Sequence, residues 1–529
     1  MSKSLKNIGV VASATMVSRI LGLGRDMLVT AVFGTSALAS SFYTAFTLPN
    51  LFRRLLGEGA LTAALVPTLN EELKHRARAG AFALVNQVAS WLFVVTGSLV
   101  VLAMAALWPV VRFSGDVERW GVDAGTALRW LAAADLAVVL FPYLVFVCLA
   151  AVFSAALQTL HRFLEPALSP IWLNVSMLVL LGGAAYAGWS TTSEGRMLWL
   201  CGGALLGGVL QMAVPAAALM SEGWRPRFDL SASDPLRQIV RLMVPTVFGS
   251  AIYLINMAVA RIFGLSLNDS AVTILNLATR LMELPIGVFA VAISTVIFPL
   301  ISKHAAAGDW DNLALSYRKG MRLILVINVP AAAGMMILAV PIIRLLFQRG
   351  AFAAGDTALM QPVLAVFAFG LPFFSFVNIV LRAFYAQKDT ATPVRAALIS
   401  FLVNLGLSLA LMRPLGTVGL AIASNVAIVA QAVYLQWHLA RKHPGLAFHH
   451  VGNDLAKVVV ASAVMGFLVA AGWWGWARLV PATTLSDACA LAGLIGGGIG
   501  AYAALLWLLK IEGRDDLAAI LAKFRARFS

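Results

Sequence analysis

The chain has 529 residues, is 60% hydrophobic and only 12% charged, and has a mean hydropathy of +0.87; a soluble domain runs nearer roughly 45–50% apolar and about 25% charged. A soluble domain is therefore excluded, and the formal net charge of +15 is read as membrane topology rather than nucleic-acid binding, because lysine and arginine collect on the cytoplasmic side of a bilayer. The three cysteines, Cys148, Cys201 and Cys489, lie in or beside apolar runs and indicate neither a disulfide framework nor a thiolate metal site.

The chain begins MSKSLKNIGVVASATMVSRI, basic and then apolar, with an arginine inside and no A-x-A-like cleavage pattern. That predicts an uncleaved first helix. Apolar runs then follow at 8–33, 38–66, 88–111, 132–160, 166–188, 196–220, 238–264, 270–301, 321–347, 358–386, 397–412, 417–437, 455–477 and 484–509. Fourteen spans are predicted, since about 20 apolar residues cross a ~30 Å hydrocarbon core. They are read as helices, because a barrel would show strands of about 10 residues with alternating polarity.

Alternating through these spans from a cytoplasmic N-terminus puts most of the 39 basic residues inside. Lys74, Arg76 and Arg78, then Arg225, Arg227, Arg237 and Arg241, then the tail from Lys510 to Arg527 are examples. Arg112, Arg119, Arg129, Arg196, Arg344, Arg349, Arg413 and Arg478 fall on the other side. Both termini are thus predicted to be cytoplasmic.

Seven arginines remain inside the runs: Arg19, Arg25, Arg53, Arg54, Arg261, Arg280 and Arg382. Each costs roughly 2.5–3.5 kcal/mol near the centre of a span. One alone would be read as snorkelling from a helix end; seven point to a cationic cavity inside the bundle. In SRILGLGRD two glycines separate Arg19 from Arg25, a pattern that permits local unwinding or, alternatively, close helix packing.

The chain also repeats. Phe33-Gly34 recurs as Phe263-Gly264, Pro67 as Pro299 and Pro166 as Pro393, at offsets of 230, 232 and 227. The organisation expected is all-α, with two six-helix lobes, 1–230 and 231–445, related by a pseudo-two-fold along the membrane normal, and a C-terminal part, 446–529, with two further helices and a basic tail. A transport site is expected between the lobes.

No enzyme signature stands against transport. LGLGRD lacks a preceding strand and a third glycine, no G-x-x-x-x-G-K-[ST] occurs, and the seven histidines form no H-E-x-x-H. No cofactor, metal, ATP or nucleic acid is expected.

TMVSRILGLGRDMLVTAVFG, FYTAFTLPNLFRRLLGEGALTAALVP, ATRLMELPIGVFAVAISTVIFPLISK and AFYAQKDTATPV resemble the MurJ (MviN) family, bacterial lipid II flippases of the multidrug/oligosaccharidyl-lipid/polysaccharide exporter superfamily. The resemblance covers essentially the whole chain. It implies a monomer of the inner membrane, two lobes around a cationic cavity, and a groove for a polyprenyl tail built by the last two helices. The cavity arginines so implied are Arg19, Arg25, Arg53 and Arg280, with Asp26, Glu58 and Glu283 as nearby acids; Arg54, beside Arg53, is read as a substrate-binding candidate with them, and Arg261, Asn378 and Arg382 are secondary candidates. Arginine suits the diphosphate of lipid II because its planar fork makes bidentate, charge-assisted bonds.

The chain departs from many members at Ser40 and Thr279, where they carry acids, and at Arg382, where some place a sodium-binding carboxylate four residues after an asparagine, here Asn378. These departures predict coupling to membrane potential with little dependence on sodium. The alternatives are an exporter of another polyprenyl-linked oligosaccharide and a cation-coupled multidrug antiporter. The second would want intramembrane carboxylates, and here arginines outnumber them.

Overall fold

The computed structural model describes residues 3–52, 61–112, 123–287, 291–481 and 483–511, and among these the chain forms helices and turns without a strand. The first half holds α1 (Lys3–Phe33), α2 (Ala37–Phe52), α3 (Thr62–Arg112), α4 (Ala124–Leu140), α5 (Tyr143–Thr159), α6 (Leu164–Tyr186), α7 (Ser193–Ser221) and α8 (Asp234–Leu267). The second holds α9 (Ala271–Pro285), α10 (Val291–Ala306), α11 (Trp310–Ile337), α12 (Ala339–Phe347), α13 (Ala354–Ala386), α14 (Ala391–Lys442), α15 (His449–Leu479) and α16 (Thr484–Leu508). The protein is an all-helical, polytopic membrane protein.

Every apolar run coincides with helix where it is described, but the run boundaries and the helix boundaries differ for identifiable reasons. α3 breaks at Arg76 and Ala77, the latter with φ 53°, so the end of one span and the whole of the next share one element. α14 breaks at Gly416 (φ 57°, ψ −137°), in the gap between the runs 397–412 and 417–437. The run 132–160 is bent by 45° between α4 and α5, where Pro142 offers no N–H to the helix ladder.

Among the described residues eight helices are long and apolar enough to cross a membrane, nine with the bent α4–α5 pair. Once α14 is counted as two runs, the runs left over are those of α1, α2, α8 and α9–α10. In the sequence these carry Arg19, Arg25, Arg53, Arg54, Arg261 and Arg280. Six of the seven arginines inside the apolar runs therefore fall in these four.

One expectation fails in α1. The helix runs unbroken through Gly22 and Gly24. A span that unwinds must find new partners for its backbone groups where no water can supply them, and here the helical ladder stays intact. Gly22 is buried, and Asn174 of α6 reaches across to donate from Nδ2 to the Ser18 carbonyl at 3.3 Å.

By contacts the chain divides into two units, Met1–Thr273 with Gly350–Phe352, and Ile274–Arg349 with Ala353–Ser529. α8 therefore packs with the first unit, although the repeat places it at the start of the second half. Leu236 and Ile239 of α8 share a core with Leu84, Val85, Leu219 and Trp224. A second core gathers Val29, Phe42, Leu140, Leu144, Met177 and Leu200, together with Cys148 and Cys201. α6 and α7 meet backbone to backbone: a Cβ on Gly203 would stand 2.8 Å from Met177 Cα, and one on Gly207 2.7 Å from Leu173 Cα. This G-x-x-x-G spacing gains its stability from close van der Waals approach, which lipid cannot replace.

At the end of α1 another close approach occurs. Gly34 (φ 60°) and Gly350 (φ 57°) are both left-handed, Ala351 N donates to the Ala31 carbonyl at 2.8 Å, and a Cβ on Gly350 would stand 2.2 Å from that same carbonyl.

In the second unit, Ile297, Tyr317, Ile324, Ile379, Phe384 and Leu435 form the core of α10, α11, α13 and α14. α15 and α16 dock on α11 and α12 through Val326, Leu338, Val458, Met465, Val469 and Leu506. Polar contacts fix that docking along its length: Arg322 to Asp454 at 2.7 Å, Tyr502 Oη donating to the Val326 carbonyl at 2.8 Å, and Arg344 to Asp487 at 3.1 Å.

The internal repeat is visible in the backbone. His161, after α5, has φ 60°, and Lys388, after α13, has φ 59°. Arg162 N bonds the Leu157 carbonyl at 2.9 Å and Asp389 N the Phe384 carbonyl at 3.0 Å, the same helix-ending motif at the same offset of 227 as Pro166 and Pro393. The first landmark pair diverges. Gly34 ends α1, whereas Gly264 lies inside α8, which continues to Leu267.

Candidate functional site

Arg25 sits in the interior of α1, its side chain 13% exposed. Its Nε and Nη2 donate to Asp26 Oδ1 at 3.1 and 2.7 Å, and its Nη1 donates to Asn174 Oδ1 at 3.2 Å. Asn174 is oriented in turn by its Nδ2 bonds to the carbonyls of Ser18 and Pro170. Tyr43 and Tyr143 lie within electrostatic reach of the guanidinium, and the Tyr143 hydroxyl is turned by donation to Gln211 Oε1 at 3.0 Å. A buried cation unpaired in this setting would be costly; paired with the adjacent carboxylate and held by an amide it is sustained. A guanidinium has five N–H groups, and these contacts use three of them.

Arg19 is half-buried six residues earlier on α1. Six residues of helix rotate the side chain to about 120° from Arg25, so the two do not share one stripe. Arg53, Arg54 and Glu58 lie outside the described residues.

Arg261 of α8 reaches the first turn of α9, its Nη1 donating to the Val272 carbonyl at 3.3 Å. In the second unit, Arg280 and Glu283 face each other one turn apart on α9 at 3.9 Å, and the Arg280 side chain is 36% exposed. Asn378 and Arg382 are both exposed on α13; the Asn378 amide donates to its own helix at the Phe374 carbonyl, and the Arg382 guanidinium lies over the Phe298 ring, 5.4 Å from its centroid. The structure thus brings together Arg25 with Asp26, Arg280 with Glu283, and Asn378 with Arg382 as neighbours on one helix face.

Sequence reasoning missed several members of this setting. Asn174 and Gln211 are single amides inside apolar runs, IWLNVSM and GVLQMAV, and that isolation was the available signal. Arg129 was counted as a loop charge. Its side chain is only 10% exposed: Nε donates to the Leu265 carbonyl at 2.8 Å and Nη1 pairs with Asp269 at 2.8 Å, tying α4 to the turn between α8 and α9. Ser40, where an acid was noted as absent, joins the same turn. Its hydroxyl donates to the Asp269 carbonyl at 2.5 Å, stands 3.0 Å from Thr273 Oγ1 and accepts from Thr273 N at 3.3 Å. Thr279, the other departure, is half-buried in α9.

Among the described residues no group of three or more His, Cys, Asp or Glu side chains gathers to hold a metal ion. The arrangement can do two things: present fixed arginine donors to an anion inside a membrane protein, and offer an apolar wall at α15 and α16.

Comparison with known proteins places the chain in a family. A family model described as lipid II flippase MurJ matches residues 29–480. A probable lipid II flippase MurJ of Rhizobium meliloti is 31% identical over 511 residues, 95% of this chain and 93% of the relative. One from Vibrio cholerae is 32% identical over 544 aligned residues, covering 98% of each. Among solved structures, a lipid II flippase MurJ in an inward closed conformation matches with a TM-score of 0.76 over 96% of this chain and 99% of that one, at 24% identity. An inward-facing multidrug resistance MATE family transporter matches with a TM-score of 0.65 over 82% of this chain and 97% of that one, at 15% identity; both likenesses speak to fold alone.

Proposed function

The chain belongs to the lipid II flippase MurJ family, and on that premise we propose that it carries lipid II from the cytoplasmic to the periplasmic leaflet of the bacterial inner membrane by alternating access. Lipid II combines a diphosphate and a large polar head with a long prenyl chain, so its carrier needs a wet anion site joined to an apolar groove. The observation that carries the reading is Arg25: a guanidinium buried in a span, locked by Asp26 and Asn174, with two N–H groups left for phosphate oxygens. Arg19, Arg53, Arg54 and Arg280 complete the diphosphate site, with Glu58 and Glu283 tuning it and Arg261, Asn378 and Arg382 at its margin. The lobes 1–230 and 231–445 are the alternating elements, the termini are cytoplasmic, and the protein acts as a monomer without ATP.

The docked pair α15–α16 supports a tail groove. Its helices are pinned to α11 and α12 by ion pairs, while Phe467, Leu468, Ile499 and Trp507 remain exposed to receive a prenyl chain. The charge of the spans also bears on the coupling. In the charged spans Arg19, Arg25, Arg53, Arg54, Arg261 and Arg280 stand against Asp26, Glu58 and Glu283, an excess of three positive charges by sequence. One charge moved through 100 mV is worth ~2.3 kcal/mol, so this excess suffices for an inside-negative potential to return the empty carrier to the cytoplasmic side.

The test is flipping of labelled lipid II in proteoliposomes at clamped potential. Arg25→Lys keeps the charge and loses the fork, and is expected to lower flipping at least 10-fold; wild-type rates in that variant would remove the anion-site reading. Collapsing the potential should slow the wild type while removing sodium should not. A photo-crosslinker on the prenyl tail should label α15 or α16.

A further inference from the structure

The segment joining the two repeats, residues 224–233, lies extended along the start of the run 88–111 in α3 and is bonded to it almost residue by residue. Asn86 Nδ2 donates to the Arg225 carbonyl at 3.1 Å, while its Oδ1 accepts from Trp224 Nε1 at 2.9 Å and from Arg227 N at 3.2 Å. Ser90 Oγ accepts from Asp229 N at 2.9 Å, Gln87 Nε2 donates to Ser231 Oγ at 2.8 Å, and Trp91 Nε1 donates to the Leu230 carbonyl at 3.2 Å. A connecting loop needs none of this to span the distance.

What the bonding achieves is a display. Alternate residues of an extended chain face opposite ways: Asp229 turns toward α3, where its carboxylate meets Gln87 Nε2, and Phe228 and Leu230 turn out, 64% and 41% exposed. Trp91 and Val95, one turn apart and both exposed, continue that apolar strip along α3 into the lipid-facing part of the span. Arg225 and Arg227 on the strap and Arg241 in α8, into which it leads, are exposed, and none of them makes an ion pair among the described residues. Apolar side chains held outward at the level where a span enters its membrane, flanked by uncommitted guanidinium groups, match the two layers of a bilayer surface: acyl chain and phosphate.

We propose that the strap 224–233 is a binding site for anionic phospholipid, with Phe228 and Leu230 seated among the acyl chains beside Trp91, and Arg225, Arg227 and Arg241 on the headgroup phosphates. Because the strap is anchored on α3 and leads directly into α8, lipid bound there stabilises the joint between the two repeats.

The experiment uses the full chain in a neutral detergent, titrated with phosphatidylglycerol or phosphatidylcholine while its thermal unfolding midpoint is followed. The midpoint should rise with phosphatidylglycerol, rise less at high salt, and stay put with phosphatidylcholine. R225Q/R227Q/R241Q should need roughly 100-fold more phosphatidylglycerol for the same rise, and Phe228→Ser should shift the titration in the same direction by less. A control, K388Q/R395Q/R441Q, removes three exposed charges from another part of the chain and should respond as the wild type does. The proposal is overturned by an unchanged titration in the strap variant, by an equal loss in the control, by an equal rise with phosphatidylcholine, or by inorganic phosphate reproducing the rise, which would make the site one for a soluble anion.

Discussion

The turn after α5 and the turn after α13 stand 227 residues apart, and each ends its helix on a non-glycine residue in the left-handed region, His161 and Lys388. Their next residues are charged oppositely. Arg162 is gripped by Glu165 and Glu222, while Asp389 is gripped by Thr392 and Lys442. The backbone of the repeat has persisted while the charge it carries has inverted, and a local partner of the right sign accompanies each. The spans show a similar freedom: the Arg25 side chain in the first unit is 13% exposed and held by Asp26 and Asn174, whereas the Arg280 side chain in the second is 36% exposed and stands 3.9 Å from Glu283. The repeat has kept geometry where the chain must turn and has let the two halves hold their cations differently, one locked and one adaptable.

The largest test of that contrast is removal of each arginine. Arg25→Ala takes a guanidinium away from the buried carboxylate of Asp26, and loss of one partner from a buried pair costs about 3–5 kcal/mol; the yield and unfolding midpoint of the variant should fall. The double variant Arg25→Ala/Asp26→Asn should recover yield without recovering lipid II transport. Arg280→Ala should lose transport while its stability changes by less than about 1 kcal/mol. Equal destabilisation by the two single variants would erase the distinction between a locked and an adaptable arginine.

A smaller effect is expected where the second unit does bury a charge. Asp487, 7% exposed, pairs with Arg344; Asp487→Asn should cost about 1–3 kcal/mol and raise protease cleavage at the link from α15 into α16. Exchange of the pair, Arg344→Asp with Asp487→Arg, should return part of that loss. No change in cleavage would show that the apolar contacts alone secure α15 and α16.

Smaller again are the turns. His161→Gly and Lys388→Gly each relieve a left-handed side-chain-bearing residue and should stabilise by about 0.5–1 kcal/mol, net of the extra freedom glycine gives the unfolded chain. A gain at one and a loss at the other would mean that the shared φ hides different environments.

The smallest effect appears only in acid. Burial pushes the Asp389 carboxyl upward, but hydrogen bonds from Lys442 and Thr392 and the Lys442 charge outweigh it and hold the pKa at about 2. The folded value lies below the unfolded value of about 3.9, so this contribution is intact above pH ~4 and drains away as pH falls toward 2. The difference in unfolding midpoint between wild type and Asp389→Asn should therefore shrink over that interval. Arg162, at the corresponding turn, remains charged throughout.

Much of this was legible because membranes narrow the choices. Helical class follows from run length and the need to satisfy backbone groups internally, and the matched turns at His161 and Lys388 follow the spacing of Pro166 from Pro393. The breaks were less so: Pro142 sits in an uninterrupted apolar run, and Gly22–Gly24 looks breakable yet stays helical, because composition does not report which helix packs alongside. Among site residues, Arg25, Asp26, Arg280 and Glu283 stood out by charge against apolar surroundings. Asn174 and Arg129 did not, one because it is a lone neutral amide and the other because a loop-like position concealed how deeply its side chain turns inward.

The meeting of Gly34 with Gly350 has a consequence for how such a protein can be studied across species. Carbonyl and amide make that junction, and what the two positions demand is that nothing be added. A contact written in absent atoms has no vocabulary of compensating changes, so pairs of substitutions that trade one shape for another cannot arise there, and statistical coupling between aligned positions will be blind to it. A scan that installs a single methyl at each site, Gly34→Ala and Gly350→Ala, will see what any number of sequences would leave silent.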